Sequence, residues 1–226
     1  MAKHYSIAID GPAGAGKSTI ARRLAKEMGY YYVDTGAIYR TVAYFLDLLG
    51  VSPKDVDGVE RYIDELTIVI EYDEEGKQHM LMNGMDVTDD IRTQDISQKA
   101  SLVSAHKVVR DVLLDMQRQV AREHNVIMDG RDIGTVVLPK ANVKIFLTAS
   151  VEIRAKRRYD ELIAKGQKTT LAQVIKDVEQ RDYQDTHRDI APLKQAKDAV
   201  LLDTSDLDID GVVAAIQNIA QEKISV

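Results

Sequence analysis

The chain contains no cysteine among its 226 residues. That excludes disulfides and thiolate metal sites. It also lacks an excess of positive charge, since 30 Lys and Arg face 36 Asp and Glu, for a formal net charge of −6. General nucleic-acid binding draws on a basic surface, so no nucleic-acid partner is expected, although a local basic pocket stays open. No apolar run approaches the roughly 20 residues that cross a bilayer, so no membrane partner is expected. The apolar stretch that begins at Tyr5 leaves no room for a signal peptide, and the expectation is a cytoplasmic protein. There is no internal repeat and no low-complexity linker. The five histidines, His4, His79, His106, His124 and His187, have no metal-ligand spacing and read as surface or locally hydrogen-bonded residues. What is present, 45% hydrophobic and 29% charged residues, suits one domain with a sizeable core and a small insertion.

One stretch organises the rest: Gly11-Pro12-Ala13-Gly14-Ala15-Gly16-Lys17-Ser18, followed by Thr19. It follows the apolar run Tyr5–Asp10 and opens a helical pattern from Lys17. Gly, four residues, then Gly-Lys-Ser between a strand and a helix is the phosphate-binding loop pattern. Glycines let the backbone curl so that successive N–H groups face one phosphate, and the helix N-terminus adds donors and partial positive charge. Lys17 is placed to reach the β and γ phosphates, and the Ser18 hydroxyl to take a Mg²⁺ position.

Along the chain, strands are expected at 5–10, 30–33, 125–129, 143–147 and 199–203, with helices at 17–28, 37–49, 93–105, 107–124, 151–165, 170–184 and 209–223. Gly29 closes the first helix and Thr35 is a plausible cap of the second. The alternation predicts an α/β fold, a parallel sheet with helices on its faces and ligands at the carboxyl ends of the strands. Thr35, Tyr39 and Arg40 then fall near the phosphate loop. Between Val51 and Val87 the pattern changes. Ser52-Pro53 opens a short helix to about Leu66, and strand-like segments at 67–72, 78–83 and 85–87 make a small antiparallel unit. This unit is either a surface flap or a cover for an acceptor substrate. Asp129 ends an apolar strand, as a Mg²⁺-supporting carboxylate does. Ser101 and Arg110, judged by spacing alone, are ordinary surface positions.

Arg154, Arg157 and Arg158 share one helix face at i, i+3 and i+4, with Arg181 and Arg188 farther on. Such a run is either a solvated face or a set of guanidinium groups that neutralise a transferring phosphoryl group from a helical lid.

With these motifs placed, the chain resembles the bacterial cytidylate kinases, P-loop NTPases of the nucleoside monophosphate kinase family. The resemblance rests on Ile9–Ser18, Asp34-Thr35-Gly36-Ala37-Ile38-Tyr39-Arg40, Ile91-Arg92-Thr93-Gln94, Asp129-Gly130-Arg131-Asp132-Ile133-Gly134-Thr135-Val136-Val137, Arg181-Asp182 with Asp185 and Arg188, and Ala191-Pro192-Leu193. It implies a three-layer α/β/α fold around a five-stranded parallel sheet. Its implied divisions are a CORE over about 1–51, 92–153 and 190–226, an NMP-binding insertion over about 52–91 and a helical LID over about 154–189. It implies transfer of phosphoryl from MgATP to CMP or dCMP by a monomer. Gly11–Thr19 and Arg157 then match ATP-binding positions, with Lys17 on the donor phosphates and Ser18, with Asp129, at Mg²⁺. Ser101, Arg110 and Asp132 match cytosine-reading positions, with Thr35 beside the base. Arg40, Arg131, Arg181 and Arg188 match acceptor-phosphate ligands, Lys17 and the last three being catalytic. Asp185 with Arg181 matches a sugar contact, and Tyr39 is matched without a defined role. Shikimate, adenylate and UMP/CMP kinases share the first motif but not the Asp129–Val137 loop. A GTPase switch would need a guanine-reading Asn-Lys-x-Asp element, which is absent from the sequence.

Overall fold

The structure is a computed structural model that describes residues 4–224, so the outermost residues of the expected CORE, 1–3 and 225–226, lie outside the described residues. Strand β1 (Ser6–Asp10) is central in a five-stranded sheet whose other members are β2 (Tyr31–Asp34), β6 (Val126–Gly130), β7 (Val143–Thr148) and β8 (Val200–Asp203). The order is β2-β6-β1-β7-β8, every pairing parallel. Alternate residues of β1 serve the two faces. Ile7 and Ile9 pack with α1 (Lys17–Met28) and α8 (Ile209–Ile224), through Leu24, Val213 and Ile216. Ala8 lies in the opposite core with α2 (Thr35–Leu48), α4 (Gln94–Val103) and α5 (Lys107–Glu123), through Ile38, Val103 and Leu113. Both faces are covered, which is why the strands read as near-continuous apolar runs.

The insertion holds α3 (Val56–Tyr62), a 3-10 turn at 63–65 and an antiparallel sheet of β3 (Ile68–Tyr72), β4 (Gln78–Met82) and β5 (Met85–Asp86). Its hairpin is bonded to the core. Gln78 Oε1 accepts from Asp34 N at 2.8 Å, and Tyr72 Oη donates to Tyr32 O at 2.9 Å. Met80 and Met82 join the core cluster beneath α2. The remaining elements are α6 (Val151–Ala164) and α7 (Leu171–His187), a helical hairpin with its own small apolar cluster around Ala155, Leu162, Val174 and Val178.

Four expectations are corrected. The cap of α2 is Asp34, whose carboxylate accepts from Ala37 N at 2.9 Å, and Thr35 is the first helical residue. Helix α3 begins after Asp55, not at Ser52-Pro53, because Asp55 accepts from Gly58 N and provides the cap that those two residues do not. Helix α7 runs to His187, one turn beyond 184. Residues 133–137, read only as part of a loop, form a π-helical turn.

Candidate active site

The phosphate loop joins β1 to α1. Gly11 has φ +151°, and a Cβ there would meet the Leu147 carbonyl oxygen at 2.0 Å, so β7 admits only glycine at this point. Lys17 is buried, and its Nζ donates to Pro12 O at 2.7 Å. Burial, with Arg131 nearby, pushes its amine well below the ordinary lysine value, while Asp129 and Asp185 act the other way.

At the end of β6, Asp129 is 4% exposed. Its Oδ2 accepts from Ser18 Oγ and its Oδ1 from Tyr32 Oη, each at 2.8 Å. Burial, with Asp34 close by, pushes this carboxyl above its ordinary value. Ser18, at the start of α1, and Asp129, on β6, thus present two hard oxygen donors side by side next to the loop, a set that suits Mg²⁺ held jointly with phosphates and water. No trio of His, Asp and Glu that would cage a metal by itself occurs among the described residues.

Asp34 also holds Arg40, Oδ2 accepting from Nη2 at 2.9 Å, while Arg40 Nε is buried without a partner. Thr35 Oγ1 donates to the Asp129 carbonyl at 2.7 Å. On the loop after β6, Arg131 Nε donates to Asp185 Oδ2 on α7 at 2.6 Å. Burial pushes the Asp185 carboxyl up, but Arg131 and Arg181 outweigh it and hold the group below the ordinary value. Arg181, beside Arg131, is lowered to about 10 by burial and by that neighbouring cation, and its Nε is likewise buried without a partner.

Asp132, 5% exposed, is gripped from two sides. Arg110 Nη2 on α5 bonds its Oδ2, and Arg188 Nη2 approaches its Oδ1 at 3.4 Å. Burial pushes this carboxyl up, and the two arginines offset part of the shift. Arg188 also donates to Ala191 O at 2.7 Å and to Ser104 Oγ at 3.3 Å. The Arg110 guanidinium lies 5.7 Å from the Tyr39 ring centroid, which gives Tyr39 a cation–π place beneath it. Both residues line a cavity of about 240 Å³ with Lys107, Gln117, Val136 and Ala191. Ser101 is half-buried on α4, and its carbonyl accepts from Ser104 Oγ at 2.8 Å.

The three arginines of α6 do not act as one face. Arg154 is buried, donating to Ala13 O of the phosphate loop and Ala149 O, each at 2.9 Å, and pairing with Asp182 at 2.6 Å. Arg157 donates to Thr204 Oγ1 and O, which engages it with the loop after β8, and Arg158 pairs with Glu161. The structure therefore gathers Lys17, Ser18, Asp129, Arg131, Arg181 and Asp185 at one strand edge, and Arg110, Asp132, Arg188 and Tyr39 beside them. It adds residues that the sequence reading passed over: Tyr32 on Asp129, Asp34 on Arg40, Ser104 on Arg188, and Asp10. The Asp10 carboxylate accepts from Ile133 N and Gly134 N, each at 2.7 Å, and burial pushes it up to about 6. Of these, Asp10 and Asp34 stand within the matched motifs without a role of their own, and Asp34 also carries the signal of a capping residue at a strand-to-helix junction.

Comparison with known proteins gives the family of the chain. The cytidylate kinase family model matches residues 7–222. A cytidylate kinase of Ligilactobacillus salivarius is 50% identical over 223 residues, covering 99% of each chain. One from Leuconostoc mesenteroides is 47% identical over 222 residues, covering 98% of this chain and 99% of its own. In fold alone, an uncharacterized protein from Eubacterium ventriosum superposes with a TM-score of 0.50 at 14% identity, covering 97% of this chain and 99% of that one. Among the described residues no helix is long and apolar enough to cross a membrane. On the match across nearly its whole length, the chain belongs to the cytidylate kinase family.

Proposed function

We propose that this chain transfers the γ-phosphoryl group of ATP to CMP or dCMP, giving ADP and CDP or dCDP, as a cytoplasmic monomer in pyrimidine nucleotide metabolism. The observation that carries the reading is the buried pair of Arg110 and Asp132, with Arg188 on the second carboxylate oxygen. Cytosine offers an N4 amine donor beside N3 and O2 acceptors. Asp132 accepts from N4, and Arg110 donates to N3 and O2. Ser101 and Thr35 flank the base. Uracil would set a carbonyl against Asp132 and an N3–H against Arg110. Each unpaired buried polar group costs about 1–3 kcal/mol, so UMP is disfavoured by roughly a hundredfold or more. Adenine shares the amine-plus-acceptor edge and is excluded mainly by size.

The acceptor phosphate lies among Arg40, Arg131, Arg181 and Arg188. The buried, unpartnered Nε atoms of Arg40 and Arg181 support this placement, as donors that an anion would satisfy. Asp185 with Arg181 takes the sugar hydroxyls. The backbone from Gly11 to Thr19 cradles the donor phosphates, with Lys17 on the β and γ groups and Arg157 toward the donor nucleotide. Ser18 and Asp129 would hold Mg²⁺, which supplies charge neutralisation on the donor phosphates when bound. An acceptor phosphate oxygen attacks the γ-phosphorus in line. The new P–O bond forms as the bond to the β–γ bridging oxygen breaks, and its electron pair leaves with ADP. That oxygen is already anionic, so no general base is required. Lys17, Arg131, Arg181 and Arg188 align the two phosphates and neutralise the charge between them. In this account residues 52–91 act as the NMP-binding insertion and 154–189 as the LID on a CORE formed by the rest.

The test is ADP release from MgATP with CMP, dCMP, UMP, AMP, GMP or no acceptor. Turnover confined to CMP and dCMP is expected. Turnover with another acceptor alone would leave the phosphate loop in place and remove Ser101, Arg110 and Asp132 from base recognition.

A further inference from the structure

Asp10 ends β1, directly before Gly11, yet its carboxylate does not serve the phosphate loop. Oδ1 accepts from Ile133 N and Oδ2 from Gly134 N, both at 2.7 Å. Asp10 stands opposite Gly130 in the β1–β6 register, so the side chain reaches across the sheet edge to the turn that follows β6. Those two amides are the leading N–H groups of the π-helical turn at 133–137. Asp132 heads that turn, and its carbonyl accepts from Val136 N at 2.8 Å and Val137 N at 3.2 Å. One carboxylate therefore holds the backbone that directly follows Arg131 and Asp132. Gly134 is closed in on two sides, since a Cβ there would lie 3.1 Å from Lys144 Cδ and 3.3 Å from Asp10 Oδ2. A carboxylate 4% exposed is costly to bury, and the two short amide bonds offset part of that cost.

We propose that Asp10 is a positioning residue for acceptor recognition: it clamps the 133–134 backbone so that Asp132 meets the base and Arg131 the phosphate, and ties both to the strand that carries the phosphate loop. This rests on the acceptor reading above. Displacement of a recognising group by about 1 Å costs on the order of a hundredfold.

Steady-state kinetics of Asp10→Asn and Gly134→Ala test it. Asparagine keeps one acceptor oxygen and turns an NH₂ toward the other amide. Alanine at 134 presses on the same contact from the opposite side, and the backbone there is not left-handed. Both variants are expected to raise the CMP KM roughly tenfold and to reduce the preference for CMP over UMP by a similar factor, with the ATP KM within about twofold of wild type. A general loss of stability would not divide the two KM values in this way. Folded variants with unchanged CMP KM and preference overturn the proposal, as does a raised ATP KM with an unchanged CMP KM. If Asp10→Asn does not fold by circular dichroism, Gly134→Ala decides by the same criteria. A wild-type enzyme that does not use CMP overturns the proposed function and this inference with it, whereas normal wild-type turnover with unresponsive variants overturns this inference alone.

Discussion

Arg131 donates to Asp185 across 2.6 Å, joining the loop after β6 to helix α7. The bond places one arginine of the strand edge under the control of the helical hairpin, and Arg181 shares the same carboxylate electrostatically. Removing the carboxylate with Asp185→Ala leaves two half-buried cations without their counter-charge. The CMP KM is expected to rise by about tenfold or more, with a smaller effect on the ATP KM. The acid limb of stability follows from the sign of the Asp185 shift. Its carboxyl lies below the ordinary 3.8, so its contribution is present above that value and is lost as pH falls through the lower folded value. The stability difference between wild type and Asp185→Asn in urea unfolding should therefore be constant above about pH 4 and shrink progressively as pH falls further, and a difference that does not shrink on acidification below about pH 4 would contradict the assignment.

Lys17 is the group whose loss should separate activity from folding. Lys17→Met is expected to lower kcat by about 10²–10³ or more, by analogy with the removal of a preorganised charge at a transition state. Its thermal midpoint should not fall, because burial already disfavours the ammonium form at this position. The same shift predicts that ATP affinity weakens as pH rises through a value below the ordinary lysine range. Isothermal titration between neutral and alkaline pH checks this, and flat affinity up to the ordinary lysine value would contradict it.

Asp10 predicts a stability slope of the opposite sign from Asp185. Its carboxyl is raised from 3.8 to about 6, chiefly by burial and in part by Asp132, against the pull of the two amides and Lys17. A raised group stabilises the fold fully below its unfolded value, and that contribution is lost as pH rises through the folded value. Between about pH 4 and 6 this amounts to roughly 3 kcal/mol. Wild type should lose stability with rising pH across that window more steeply than Asp10→Asn. Parallel slopes in urea unfolding would show that Asp10 does not titrate there.

Much of this was legible before any coordinates, for physical reasons that differ by element. Strands buried on both faces read as apolar runs, and the phosphate loop announced itself because its chemistry needs glycine, lysine and hydroxyl at fixed spacing. Gly11 shows the reason in structure, where β7 leaves no room for a Cβ. What stayed hidden were long-range polar contacts. Nothing in the spacing of Asp10 and Gly134 says that one accepts from the other, 124 positions away. The π-helical turn at 133–137 is hidden for a related reason, since its two leading amides are bonded by that same distant carboxylate. Arg154, Arg157 and Arg158 fit one helical face by periodicity, yet Arg154 and Arg157 find different partners because α6 lies between the phosphate loop, α7 and the loop after β8, while Arg158 pairs with Glu161 of its own helix. The Thr35 misassignment as a cap is local: Asp34 competes for the same amide and has the stronger acceptor.

The central claim is that Arg110 and Asp132 read the acceptor base. Its most direct test is the ratio of kcat/KM for CMP to that for UMP, measured in wild type and in Asp132→Asn. A high wild-type ratio that falls by about a hundredfold in Asp132→Asn, because an amide can turn its NH₂ toward the uracil carbonyl, is the predicted result. A folded Asp132→Asn enzyme that keeps the wild-type ratio would contradict the claim.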